Sequence, residues 1–201
     1  MHGAVLTDLV LVDIDTQNDF LLPVGALYVP GAEKLIPALE RIYDWARSNG
    51  IPVISTADAH SERDPEFASW PPHCIAGTLG QAKVPGTLMT GAIAVPNRAG
   101  AAIPDAPQII VEKQTVDVFQ TATIRDVLAA RPAQRYVVFG VVTEICVVHA
   151  VRGLRALGKN VEVITDAIAS LDNAVAGRRA IDEMVAAGAR LTAVQKLCTP
   201  H

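Results

Sequence analysis

Aromatic residues make up only 4% of this 201-residue chain, and it has three cysteines. A core short of rings must rest on Val, Ile, Leu and Ala, and half of the chain is apolar. Charge of one sign is scarce as well. Seventeen Lys and Arg stand against 21 Asp and Glu, giving a net charge of −4 with no long run of like charge. That balance argues against a partner that is a nucleic acid. The cysteines (Cys74, Cys146, Cys198) lack the spacing of a disulfide framework, which fits a reducing cytoplasm. No apolar run approaches the roughly 18 residues of a membrane span. No basic segment leading into an apolar core and a cleavage site opens the sequence. The expectation is a cytoplasmic protein with no membrane partner, and one domain over residues 1–201 with a sizeable core.

What is present is an alternation of aliphatic runs and helical stripes. Strands are expected over 8–14, 52–56, 108–111, 136–139, 161–164 and 190–194. Helices are expected over 32–48, 121–130 and 147–157, and from Asn173 or Ala174 to Ala187. The passage from Ala57 to Gly100 has no strong periodicity and reads as a long insert, a feature usually tied to function. The pattern predicts an α/β fold: a doubly wound, Rossmann-like sheet of six parallel strands with helices on both faces.

Polar residues then fall at one kind of strand end, where open α/β sheets bind ligands. Asp15 ends the first aliphatic run. Asp13, two residues earlier, points the same way in extended chain, so only one of them is expected at the mouth of a site. Asp15 or Asp19 could instead cap a turn. Asp58 and His60 follow the second strand, spaced to project together, and His73 offers a third donor for a metal; as plain loop residues they would carry no chemistry. Lys113 follows the third strand. Such a lysine is a solvated charge unless a carboxylate and an anionic intermediate share its pocket. Cys146 sits between a strand and a helix, where unpaired amides and the helix dipole favour a thiolate; a lone cysteine there is otherwise a small core residue.

Five segments carry a resemblance that spans about Val5 to Val194. They are Asp15-Thr-Gln-Asn-Asp-Phe20, Thr56-Ala-Asp-Ala-His60, Trp70-Pro-Pro-His-Cys-Ile-Ala-Gly-Thr78, Glu112-Lys113 and Gly140-Val-Val-Thr-Glu-Ile-Cys-Val147. In this order they resemble the isochorismatase-like cysteine hydrolases, and among them the nicotinamidase and pyrazinamidase group. The resemblance implies a catalytic triad of Asp15, Lys113 and Cys146, and a cis peptide between Val141 and Val142. It implies an oxyanion hole from the backbone amides of Val142 and Cys146. It further implies a divalent metal on Asp58, His60 and His73, zinc first, with iron or manganese as alternatives; Asp64 or Glu66 could supply a fourth ligand. Phe20 and Trp70 would stack on the ring of a small-molecule amide substrate. Phe119 would form another ring wall, where relatives carry a tyrosine-containing stretch. A homo-oligomer, dimer or larger, is also implied.

The expected reaction is nicotinamide and water to nicotinate and ammonia through a thioester. The alternatives are a related hydrolase of another amide or carbamoyl substrate, an isochorismatase-type hydrolase, a non-catalytic redox or binding protein, and a zinc hydrolase that ignores the thiol. Isochorismatase chemistry needs no thiol nucleophile, so Cys146 weighs against it.

Overall fold

The computed structural model describes residues 7–171 and 173–199. Residues 1–6, 172, 200 and 201, which the expected domain and the resemblance partly include, lie outside the described residues. Seven strands are β1 (Thr7–Ile14), β2 (Val53–Asp58), β3 (Ile93–Val95), β4 (Gln108–Lys113), β5 (Ala133–Val141), β6 (Val161–Ala169) and β7 (Arg190–Thr192). They form one parallel sheet in the order β3-β4-β2-β1-β5-β6-β7. The helices are α1 (Asn18–Leu21), α2 (Ile36–Asn49), α3 (Ile124–Ala130), α4 (Val148–Ala156), α5 (Asn173–Ala186) and α6 (Val194–Leu197).

The aliphatic runs do not alternate because both faces of the sheet are covered. In β1, Val10, Val12 and Ile14 join one apolar cluster with residues of α3, α4 and α5. Leu9 and Leu11 join the other, with residues of α2 and α6. Helix α2 carries Pro in its first turn and ends at Gly50, whose left-handed φ of 63° lets its amide reach back to the carbonyls of Ala46 and Arg47.

Two expectations are corrected. The sheet has seven strands, because the 57–100 insert holds β3, a three-residue edge strand. Its first two residues are exposed and its flanks are rich in Gly and Pro, so it has no pattern to read. The strand expected over 161–164 runs on to Ala169 as β6; Asp166 lies within it, and its Oδ1 accepts the Val194 amide that opens α6.

Strand β1 has β2 on one side and β5 on the other, so the winding reverses there. A crevice at the carboxyl ends of the strands is the expected result. The close approach of β5 to the end of β1 needs Gly140. Its φ is 115°, and a Cβ there would lie 2.1 Å from the Ile14 carbonyl oxygen. Immediately beyond, the Val141–Val142 peptide is cis. A π-helical turn over Thr143–Val147 then carries Cys146 into α4.

Candidate active site

Each strand end delivers one polar side chain to the crevice. Asp15 follows β1, Asp58 ends β2, Lys113 ends β4, and Cys146 lies in the turn after β5. All four are buried. The Lys113 ammonium lies 2.9 Å from Asp15 Oδ2, donates to Asp58 Oδ1, and sits 3.7 Å from Cys146 Sγ. Asp13 goes elsewhere, into the layer between the sheet and α2, where it bonds Tyr43. The two aspartates part company because Asp15 leaves the extended conformation for a left-handed φ of 49°. Thr56 holds Asp15 there. Its hydroxyl donates to Asp15 Oδ1 at 2.5 Å and accepts the Asp15 amide at 3.1 Å. Gln17 fixes Asp58 in a similar way, accepting its amide at 2.7 Å and donating to its carbonyl at 2.9 Å.

Lys113 decides the electrostatics of the group. Burial works against its charge, yet Asp15 and Asp58 outweigh that and raise it well above the ordinary lysine value. For Asp58, burial is outweighed by the Lys113 charge, helped by the His60 and His73 rings that face it, so its carboxyl is held far below the usual range. Burial, reinforced by the Asp58 charge, wins at Asp15 and raises its proton affinity. The Cys146 thiol is likewise pushed well above its ordinary value by burial, with Asp15 and Asp58 outweighing Lys113. These effects oppose the pull of the helix end toward a thiolate. Burial and the two carboxylates thus favour the protonated thiol.

Beside this group, Asp58, His60 and His73 gather ligand-type atoms within 4.8 Å of one another. His60 Nε2 stands 3.8 Å from Asp58 Oδ2, and His73 Nε2 stands 3.7 Å from the same oxygen. Glu66 Oε2 lies 3.5 Å from His60 Nε2 and forms a second group of ligand-type atoms with His60 and Asp64. Ligands about 2.0–2.2 Å from one ion stand roughly 3.3–3.6 Å apart in a tetrahedron, so the spacing is close to that of a bound cation. The far sides of both rings are held: Asp64 lies 3.1 Å from His60 Nδ1, and the Pro71 carbonyl 2.8 Å from His73 Nδ1. Such outer partners orient metal-ligating histidines. Buried His60 Nε2 and Glu66 Oε2 make no hydrogen bond, an arrangement that a cation would satisfy. Asp64 also caps the short turn Pro65–Ala68, which presents Glu66 and packs Phe67 against both imidazoles at ring distances of 5.3 and 5.8 Å.

A cavity of about 290 Å³ opens onto Cys146, Asp58, Glu66 and His73. Its walls are Phe20, Trp70, Leu27, Val116, Val142, Ile145 and Leu171. Phe20 and Trp70 thus reach the site, whereas Phe119 does not. The Phe119 ring packs over α4, where Gly153 leaves room that a Cβ would take, and lines a separate apolar cavity. Val116 occupies the wall in its stead. The sequence assigned no role to Thr56, Gln17 or Phe67, although Gln17 and Thr56 both lie inside motifs that could have flagged them.

This geometry agrees with comparison to known proteins. The isochorismatase domain family matches residues 9–90 and 97–196. The chain belongs to the isochorismatase family. Among its relatives, the nicotinamidase of Escherichia coli (strain K12) is 28% identical, covering 90% of this chain and 92% of that protein. The crystal structure of pyrazinamidase/nicotinamidase from Streptococcus mutans UA159 aligns with a TM-score of 0.77 at 25% identity, over 92% of this chain and 100% of that one. Pyrazinamidase of Pyrococcus horikoshii in complex with zinc aligns with a TM-score of 0.77 at 24% identity, over 92% and 99% of the two chains. The last likeness concerns the isochorismatase fold.

The raised thiol gives a stability signature. The folded protein holds the Cys146 proton more tightly than the unfolded chain, whose thiol ionises near its ordinary 9.0. Stability from this group is therefore complete below that value and is lost as pH rises toward the folded-state pKa, by up to about 1.4 kcal/mol per pH unit. Cys146→Ala removes the slope. Thermal unfolding of both proteins from neutral pH to about pH 10 should show the wild type losing ground to the variant. Parallel curves would contradict the buried, protonated thiol.

Proposed function

We propose that this protein is an amidohydrolase that converts nicotinamide and water to nicotinate and ammonia, with Cys146 as nucleophile. The convergence of Asp15 and Lys113 behind Cys146, which itself lines an apolar-walled cavity, carries the reading. The nicotinamidase relatives support it.

In this mechanism the amide enters between Phe20 and Trp70, with its carbonyl carbon above Sγ. Asp15, whose proton affinity is raised, takes the thiol proton as Sγ attacks. The proton moves with the attack, because burial disfavours a free thiolate. Lys113 keeps its proton throughout and holds the Asp15 carboxylate in place. The backbone amides of Val142 and Cys146 receive the oxyanion, each donor contributing roughly 10²–10³-fold. Asp15 then returns the proton to the departing ammonia. It next deprotonates the water that hydrolyses the thioester, which restores thiol and carboxylate.

A divalent cation would be held by Asp58, His60 and His73, with Glu66 in preference to Asp64 as the fourth ligand, since Asp64 faces the other His60 nitrogen. Zinc suits this donor set, and one similar pyrazinamidase is a zinc complex. Such an ion supplies a Lewis acid that can orient a ring nitrogen or acidify water. Among the described residues no Arg or Lys lines the cavity, which disfavours substrates that carry a carboxylate.

Purified protein is expected to release ammonia from nicotinamide, with kcat falling at least about 10³-fold in Cys146→Ala. Release no greater than that of the variant would sink the nicotinamide assignment, and turnover of a carbamoyl amide in its place would favour the alternative. Metal analysis of the same preparations should find one divalent ion per chain, lost in His60→Ala. Full turnover by an ion-free preparation would remove the metal from the mechanism.

A further inference from the structure

Asp13 of β1 is fully buried where its neighbours on that face, Leu9 and Leu11, are apolar. Its Oδ2 accepts from Tyr43 at 2.5 Å, Thr16 at 3.0 Å and Ser55 at 3.2 Å, and pairs with the Lys83 ammonium at 2.9 Å. Lys83 is buried as well and donates to the Thr56 carbonyl at 3.4 Å. An apolar pair would fill this layer without the desolvation that a buried ion pair requires. The pair therefore invites a role beyond packing.

Its connections lead to Asp15. Backbone pairing joins Lys83 to Gln17, and the Val84 amide donates to the Thr16 carbonyl at 3.0 Å. Gln17 in turn clamps Asp58, and the Thr56 hydroxyl holds Asp15. A left-handed backbone at a non-glycine residue persists only when its surroundings over-determine it. The residue two before Asp15, the two after it and its side-chain partner Thr56 all converge on Lys83 or its immediate neighbour.

We propose that Lys83 is a positioning residue: paired with Asp13, it locks the chain at 83–84 against β1 and β2 and keeps Asp15 turned toward Lys113 and Cys146. Its catalytic consequence rests on the reading of Asp15 as the base for Cys146.

The test uses the full chain. Lys83→Met alone leaves the Asp13 charge unpaired and risks unfolding, so the deciding variant is Asp13→Asn with Lys83→Met, which removes both charges and preserves shape. Cooperative unfolding is expected to be retained. A crystal structure should show Asp15 out of its left-handed conformation and its contact with Lys113 lengthened. With nicotinamide, kcat should fall on the order of 10–10²-fold with KM nearly unchanged, as for a misplaced reacting group. Asp15 unmoved, or kcat at the wild-type level, would overturn the proposal. Should the wild type fail to hydrolyse nicotinamide, the functional reading falls, and the Asp15 conformation alone decides whether Lys83 positions it.

Discussion

One buried ammonium holds the centre of this molecule together. Lys113 faces two carboxylates and a thiol, all withdrawn from water. At an effective dielectric of about 20, a charge pair at such range attracts by roughly 5–6 kcal/mol, while taking each ion from water costs several kcal/mol. The balance leaves little net stability. What the pair does provide is an arrangement of charge: Asp58 is biased toward its ionised form, while burial raises the proton affinity of Asp15 and of the thiol. Two carboxylates against one ammonium leave an excess of negative charge, which turns Asp58 into a bridge. One of its oxygens serves Lys113, and the other faces the two histidines.

The fold makes this convergence possible by bringing four strand ends to one place. Reversal of the winding at β1 opens the crevice, and Gly140 lets β5 close on the end of β1 so that the Cys146 turn overhangs it. The long insert contributes the outer half: Glu66, Phe67, Trp70 and His73 all belong to it, braced by the Asp64 cap and the ring contacts. Sheet and insert thus divide the labour. The sheet fixes the thiol, the carboxylate beside it and the ammonium, and the insert supplies a wall and further ligand-type donors.

Much of this was legible in the chain. Asp15, Asp58, Lys113 and Cys146 could be placed at one kind of strand end because aliphatic runs stop abruptly there, and such runs are the signature of strands buried on both faces. Residues that act by direction were harder to see. No local pattern announces that Asp15 turns left-handed while Asp13 stays in the sheet layer, or that Thr56 reaches across 41 positions to hold it. Phe119 was assigned to the ring wall by resemblance alone, yet its ring packs against Gly153 on α4. The balance of forces on Cys146 was out of reach for a related reason. A helix end can be read from sequence, but the burial and the two nearby carboxylates that outweigh it exist only in three dimensions.

In the proposed reaction Cys146 forms a covalent bond to the acyl group during turnover. Rapid acid quenching of the working enzyme with nicotinamide, followed by mass analysis of its peptides, tests this most directly. A covalent route predicts a nicotinoyl adduct on the peptide carrying Cys146 that builds up and decays with substrate. Turnover in which Cys146 stays unmodified at every quench time, and which survives alkylation of that thiol, would contradict it.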